Sequence, residues 1–287
     1  MESAETVAPA KSGAANDSCG TEGAVGDHNQ IERGASRKDE ERLLMDGTLL
    51  GRDEILDTIQ ALALGGETVL VFGPLGSGKT AILDELARRV EQPERPCAFC
   101  PRTERLSDIT QAFARCYLAG GEALTQRQRR GRVRLAIERH PGILLLDHLL
   151  DVGNAVKGYL RSLRGTGLGV VMAVDVEHPR DHARVRARGL AYREIALPPL
   201  PGRYMRRLLD REIEAQQIPN RLLEADRHAL VQVARRRPGW IVRLIAAAAK
   251  AHYWRGDHLL VDLLAADVSL AVAQHYGARL CNRWSKR

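Results

Sequence analysis

The octapeptide Gly73-Pro74-Leu75-Gly76-Ser77-Gly78-Lys79-Thr80 has the residue types needed to hold the phosphates of a nucleotide. Its glycines let consecutive backbone N–H groups point at phosphate oxygens, and a helix from Ala81 onward adds the positive end of its dipole. The Lys79 ammonium would neutralise the β and γ phosphates, and the Thr80 hydroxyl suits Mg²⁺. An ordinary glycine-rich turn is the alternative, but the apolar run before the octapeptide and the amphipathic pattern after it favour a nucleotide site.

A second group of chemical candidates follows the apolar run Ile143-Leu144-Leu145-Leu146. Asp147 ends this run, and a carboxylate there would bind the metal or a metal-bound water, opposite Thr80. Apolar runs that end in Asp are common, so the assignment depends on its position after a complete phosphate loop. His148 comes next, and a neutral imidazole can accept a proton near pH 7. The alternative for His148 is that it packs against the protein or faces solvent.

A third candidate is the basic stretch from Thr125 to Arg134, which contains five arginines and no acidic residue. Such a block can follow a phosphate backbone, with an affinity that falls steeply as salt rises. A solvated helix face would have the same composition, and no aromatic residue is interleaved to stack on bases. The predicted nucleic-acid contacts are Arg127, Arg129, Arg130, Arg132 and Arg134.

Composition and charge limit the class of protein. The 287 residues are 44% hydrophobic, which is enough for one large α/β domain and a small satellite. Residues 1–46 carry five Lys/Arg against ten Asp/Glu, whereas residues 47–287 carry 38 against 26, a net charge of +12. A basic domain commonly binds polyanions, although an arginine-rich surface can equally reflect the base composition of the source genome. Because no basic and apolar leader or bilayer-length apolar stretch is present, we expect a cytoplasmic protein with no membrane partner.

The order of elements that must position these residues is that of a parallel sheet with helices on both faces. Residues 1–42 have almost no large apolar side chains, which predicts a disordered acidic tail. Apolar periodicity predicts a helix before the phosphate loop. The predicted strands are 68–72, 96–100, 143–147, 169–175 and 193–197. The predicted helices between them are 81–90, 106–118, 125–139, 154–163 and 180–188.

Three prolines within residues 198–201 mark the end of the α/β part, because proline neither continues a strand nor sits inside a helix. Four apolar stripes follow, and they predict helices at 202–217, 222–236, 239–254 and 258–276. The predicted domains are therefore a nucleotide-binding core at 43–198 and an all-α lid at 199–287.

Taken in order, the Leu50-Gly51-Arg52 segment, the phosphate loop, Asp147 and the proline-rich boundary before a helical segment resemble an AAA+ ATPase. Within that superfamily the layout is similar to the origin-recognition-like and STAND clades and to bacterial ATPases that assist transposition. The resemblance covers about residues 47–255. It implies a P-loop NTPase fold with ATP and Mg²⁺ as cofactors.

The resemblance also implies roles for further residues. Gly51 and Arg52 would line the adenine pocket, and Asp175 lies where the family places a polar sensor of the γ-phosphate, usually Asn, Thr or Ser. Arg188, in a segment with two more arginines, would be the finger that reaches a neighbour's nucleotide. Arg243 corresponds to the sensor arginine of the helical lid, with a surface salt bridge as the alternative.

The implied function is an ATPase that assembles with itself and acts on double-stranded DNA or on a DNA-bound protein. In many such ATPases a Glu follows the strand-ending Asp and polarises the attacking water. His148 occupies that position here. The departure leaves open a second class of function, a STAND-like signalling or scaffolding switch that hydrolyses ATP slowly or not at all.

Overall fold

A computed structural model of the protein describes residues 44–45, 48–90, 95–101, 105–118, 124–149, 153–176, 190–218 and 222–284. All of them belong to one compact unit, Arg37–Arg287. The predicted acidic tail, 1–42, and the predicted helix at 180–188 lie outside the described residues.

The centre of this unit is a five-stranded parallel sheet that follows a small antiparallel pair, β1 and β2. The strands in chain order are β1 (Leu44–Met45), β2 (Thr48–Leu49), β3 (Thr68–Gly73), β4 (Cys97–Cys100), β5 (Ile143–Leu146), β6 (Gly169–Asp175) and β7 (Arg193–Ala196). The spatial order of the sheet is β4-β5-β6-β3-β7. The sheet confirms the predicted α/β fold class, and each predicted strand is present to within a residue of its predicted bounds.

Helices cover both faces of this sheet, as continuous apolar strands require. They are α1 (Asp53–Leu64), α2 (Lys79–Val90), α3 (Leu106–Tyr117), α4 (Gln126–Arg139) and α5 (Asn154–Ser162). Successive residues of each strand point to opposite faces, so Val69 and Val71 join one hydrophobic cluster while Leu70 joins the other. The first cluster contains α1 and α2, and the second contains α3, α4 and α5.

The chain continues after β7 into four more helices, called here the C-terminal helices: α6 (Gly202–Ala215), α7 (Glu224–Val233), α8 (Pro238–Ala248) and α9 (Val261–Trp284). Buried side chains of these helices, including Met205 and Leu244, belong to the same cluster as α1 and α2. One continuous apolar core therefore ties the C-terminal helices to the face of the sheet that carries the phosphate loop. The predicted domain boundary at residue 198 stays a prediction.

The predicted helix 239–254 is too long, and the structure gives a physical reason. The helix ends at Ala248, where the indole nitrogen of Trp254 donates to the Ala248 carbonyl at 2.7 Å. A 3₁₀ turn and a short hairpin, β8 (Trp254–Arg255) with β9 (His258–Leu259), then intervene before α9. Gly256 makes this hairpin possible because its φ is +63°. In the part of the chain that the structure describes, no helix is both long and apolar enough to cross a bilayer.

Candidate functional site

The phosphate loop, residues 73–80, joins the end of β3 to the start of α2. Two of its glycines have left-handed backbone angles, with φ of +78° at Gly76 and +95° at Gly78. The Ser77 N–H donates to the Pro74 carbonyl at 3.1 Å, which closes the turn. The loop therefore depends on glycine at these two positions, since side chains rarely tolerate such angles. This is the strand–loop–helix placement that the sequence pattern requires.

Lys79 is turned back onto its own loop. Its Nζ donates to the carbonyls of Gly73 at 2.9 Å and Pro74 at 2.8 Å, and to Ser77 Oγ at 3.1 Å. It also pairs with Asp175 Oδ1 at 2.7 Å, and the two side chains are only 6% and 7% exposed. Since an ammonium has three protons, these four oxygens already satisfy it. A phosphate must therefore displace at least one of them.

The ion pair follows from the register of the sheet. Gly73, at the end of β3, pairs directly with Asp175, at the end of β6. Both residues thus reach the carboxyl edge of adjacent parallel strands, where α/β proteins bind ligands. The predicted sensor position of Asp175 lies beside the phosphate loop, and its carboxylate contacts the lysine of that loop.

Asp147 and His148 lie at the same edge, at the end of β5. The Asp147 side chain is 3% exposed, and its Oδ1 accepts from the backbone N–H of His148 at 2.7 Å. This hydrogen bond accompanies a left-handed His148, with φ of +50°. The His148 ring lies between two carboxylates, with Nε2 at 3.5 Å from Asp147 Oδ2 and Nδ1 at 4.0 Å from Asp175 Oδ2. The ring is also 30% exposed, so both the role as a base and the alternative stay predictions.

The residues present suit Mg²⁺ that arrives with a nucleotide. The Asp147 carboxylate and the Thr80 hydroxyl, in the first turn of α2, are hard oxygen donors of the kind that Mg²⁺ prefers. Within the described ranges, no cluster of three or more His, Cys, Asp or Glu side chains is arranged to hold a metal ion without other ligands. Mg²⁺ usually takes one or two protein ligands, and phosphates and waters complete its octahedron. The donor set therefore fits the predicted cofactor pair.

Arg52 connects the loop to the end of the sheet. It is 5% exposed, and its Nη2 donates to the carbonyls of Pro198 at 2.6 Å and Ser77 at 3.5 Å. Burial lowers the pKa of Arg52 to about 10, which leaves the guanidinium charged at neutral pH. Gly51 faces the Tyr204 ring, since a Cβ placed on Gly51 would lie 2.5 Å from that ring. The predicted adenine-side residues therefore bridge the phosphate loop, the end of the sheet and α6.

The cavity at this position is small. It measures about 20 Å³ and is lined by Leu49, Leu50, Arg52, Ser77, Gly78, Ala81, Leu200, Leu208 and Pro238. Such a volume holds about one water molecule, whereas ligand pockets are roughly 300–1,000 Å³. Its walls come from β2, the loop and the C-terminal helices. A cavity of this volume is too small for a nucleotide base.

The start of α8 packs directly on the outer face of the phosphate loop, an arrangement that sequence reasoning missed. The Gly239 N–H donates to the Gly76 carbonyl at 2.8 Å. A Cβ on Gly76 would lie 2.9 Å from Trp240 Cδ1, and one on Gly78 would lie 3.6 Å from Pro238 Cγ. The indole nitrogen of Trp240 is buried and has no hydrogen-bond partner among the described residues. The only sequence signal for this packing was the Pro238-Gly239 pair that opens the helix, since glycine permits a close approach of two backbones.

The structure describes one of the two arginines that were assigned by resemblance. Arg243 lies on α8, the helix whose first residues contact the phosphate loop, and it is partly buried. Its role as a sensor stays a prediction. Arg188, with Arg184 and Arg186, lies outside the described residues, so the finger assignment is also still a prediction.

The five arginines of the basic block separate into two groups on α4. Arg127, Arg130 and Arg134 line an open groove of about 790 Å³ with Tyr159 and Ser162 of α5. We call this the arginine groove. Arg129 instead turns back to donate to the Leu124 carbonyl at 3.2 Å, and Arg132 is exposed but does not line the groove.

Tyr159 of α5 is a buried residue that contacts the basic block, a contact that the sequence did not suggest. The Arg130 guanidinium lies 5.2 Å from the centroid of its ring, a cation–π distance. Burial raises the pKa of Tyr159 to about 12, with the nearby Arg130 charge acting in the opposite direction. The ring therefore stays neutral and holds Arg130 at the groove.

Comparison with known proteins gives structural neighbours only. No protein-family model matches the sequence, and no curated protein matches it either. A Walker-type ATPase of Pyrococcus abyssi superposes with a TM-score of 0.57 at 12% identity, over 82% of this chain and 76% of that one. Drosophila ORC bound to DNA gives 0.50 at 15% identity, over 83% and 70%. RuvB of Thermotoga maritima gives 0.45 at 14% identity, over 77% and 67%. The chain therefore shares its fold with this Walker-type ATPase and with ORC.

Proposed function

We propose that the protein is an AAA+ ATPase that binds ATP–Mg²⁺ between its α/β core and its C-terminal helices, assembles with itself, and acts on DNA or a DNA-bound protein. The observation that carries this proposal is the convergence of Lys79, Asp147 and Asp175 at one edge of the sheet, beside a glycine-shaped phosphate loop. ATP binding by the wild-type protein, and its loss when Lys79 is replaced, is the first test.

In this proposal each residue has a defined task. The loop amides and Lys79 would hold the β and γ phosphates, while Thr80 and Asp147 would hold Mg²⁺. When bound, this ion would supply positive charge that stabilises the transferred phosphoryl group. His148 accepts a proton from the attacking water, and Asp147 and Asp175 orient its ring. Arg243 and an arginine of a neighbouring copy, Arg188, stabilise the charge on the γ-phosphate.

The arginine groove supports a role for DNA. Three of its side chains, Arg127, Arg130 and Arg134, repeat at i, i+3 and i+7 and so share one face of α4. Arg134 pairs with Glu138 at 2.9 Å, but this exposed pair is weak and can exchange for a phosphate. Drosophila ORC, which has the same fold, is bound to DNA in its structure. The arginine groove is a feature of this chain.

We expect Arg127→Gln/Arg130→Gln/Arg134→Gln to weaken duplex DNA binding at low salt. Removing one arginine–phosphate pair should reduce the slope of log K against log salt by about 0.9, so removing three should reduce it by about 2.7. Fluorescence anisotropy with labelled duplex DNA across a salt series measures both the affinity and the slope. The matched control is Arg115→Gln/Arg132→Gln/Arg139→Gln, which removes three exposed charges that do not line the groove. Equal reductions in both triple variants would mean that net charge, not the groove, binds DNA.

The position of His148 favours a second candidate, a nucleotide-dependent switch with slow hydrolysis. His148 replaces the usual Glu, and its left-handed backbone holds it between two carboxylates. In the first candidate the His148 ring activates water for hydrolysis. In the second it only separates the Asp147 and Asp175 carboxylates.

Steady-state ATP hydrolysis by wild type and His148→Glu separates the two candidates. If His148 is the base, wild-type turnover exceeds that of Lys79→Ala by on the order of 100-fold, and His148→Glu changes it by less than about threefold. Phosphate release at saturating Mg²⁺ and ATP measures both rates. A wild-type rate equal to that of Lys79→Ala, with a gain of about tenfold or more in His148→Glu, would instead support the switch.

A further inference from the structure

Asp175 is an unusual residue to find against a phosphate-binding lysine. Its carboxylate is 2.7 Å from Lys79 Nζ, and both side chains are more than nine-tenths buried. The other three acceptors described above for Lys79 are two carbonyls and a hydroxyl, so Asp175 supplies the negative charge in this set. Asp175 thus pairs with the ammonium of Lys79, the group that would bind the terminal phosphates in the proposed nucleotide site.

The backbone of Asp175 cannot withdraw from this position. Asp175 is the last residue of β6 and is paired with Gly73 of β3, so its Cα is fixed beside the loop. Only its side chain can turn, and His148 Nδ1 lies 4.0 Å from Oδ2 as a second partner. When a nucleotide phosphate binds Lys79 in place of Asp175, the buried Asp175 carboxylate therefore stays close to the negative phosphates. Like charges at such separations repel strongly in a site of low dielectric.

We infer that Asp175 competes with the terminal phosphate of the nucleotide for Lys79, and thereby makes triphosphate binding depend on Mg²⁺. The inference rests on the proposed function, because it concerns the same site. A divalent ion on the β and γ phosphates removes most of the repulsion from Asp175, whereas free ATP meets it in full. ADP has no γ-phosphate and meets less of it. Asp175 is thus a specificity residue that selects the metal complex of the triphosphate over the free nucleotide.

The test is equilibrium binding of ATP and ADP, each with Mg²⁺ and with EDTA, to wild type and Asp175→Asn. Asn keeps the size of the side chain and removes its charge. We expect Asp175→Asn to bind Mg²⁺-free ATP about tenfold or more tightly than wild type does, and Mg²⁺–ATP less than about threefold more tightly. The gain for Mg²⁺-free ADP should be smaller than the gain for Mg²⁺-free ATP. Isothermal titration calorimetry measures all four affinities without requiring turnover.

Two controls keep the result interpretable. Asp210→Asn removes one negative charge from an exposed residue of α6 that pairs with Arg227, so it reports the effect of net charge alone. Asp175→Ser is the second variant if Asp175→Asn folds poorly, and thermal melting verifies each protein. If wild type binds Mg²⁺–ATP but neither Asp175 variant binds free ATP more tightly, the inference is overturned and the proposed function stands. If wild type binds no nucleotide under any condition, both are overturned.

Discussion

Lys79→Ala is expected to reduce ATP affinity by on the order of 100-fold or more, because it removes the ammonium that lies at the centre of the phosphate loop. The same change should destabilise the fold. Asp175 would be deprived of the Lys79 charge while staying more than nine-tenths buried, and breaking a buried ion pair in this way typically costs about 3–5 kcal/mol. Calorimetric titration measures the affinity, and chemical denaturation measures the free energy of unfolding.

A double variant separates these two effects. In Lys79→Ala/Asp175→Asn neither charge of the pair remains, so the free energy of unfolding should return toward the wild-type value. ATP affinity should not return, since the ammonium is still missing. Full ATP affinity in Lys79→Ala would contradict the site assignment, whatever the stability. Unchanged stability in that variant would show that the Lys79–Asp175 pair contributes little to the fold.

The second large effect is expected for Asp147→Asn, which should lower the rate of ATP hydrolysis about 100-fold while ATP still binds. The carboxylate is 3% exposed at the end of β5, and in the proposed function it holds Mg²⁺ together with Thr80. An amide oxygen is a much weaker ligand for this ion than a carboxylate. Phosphate release at saturating ATP, across a Mg²⁺ titration, measures the reduction in rate, and part of the rate should be recovered at high Mg²⁺.

Asp147→Asn should leave the local backbone unchanged. Asp147 Oδ1 accepts the His148 N–H at 2.7 Å, and the amide oxygen of Asn can accept the same bond, so the backbone at His148 should be kept. Asp57→Asn is a matched control on the exposed face of α1, where the carboxylate pairs with Arg89 at 2.8 Å. A normal rate of hydrolysis in Asp147→Asn would exclude this carboxylate as a metal ligand.

Much of the fold was predictable because its signals are local. The apolar run 143–146 is buried throughout, as a central parallel strand must be, and the five strands were found from such runs. The phosphate loop was predictable because only glycine readily accepts the backbone angles at Gly76 and Gly78. The apolar runs and the phosphate loop each consist of consecutive residues, so a single sequence is enough to predict them.

The interactions that define the site could not be predicted, because each one joins distant parts of the chain. The Lys79–Asp175 pair depends on the register between β3 and β6, which apolar periodicity does not specify. Arg52 reaches the Pro198 carbonyl only after the sheet has formed. The end of α8 at Ala248 depends on a side chain of the following hairpin, Trp254, so it too has no signal within the helix.

The attachment of α8 to the outer face of the phosphate loop has a mechanical consequence. Gly239 and Trp240 hold one end of this helix against Gly76, and the helix extends about 16 Å from there at 1.5 Å per residue. Its far end is buried as well, since Ile245 and Ala248 belong to the same apolar core as Met205 of α6. A displacement of the loop would therefore be transmitted to the packed C-terminal helices together and not to α8 alone.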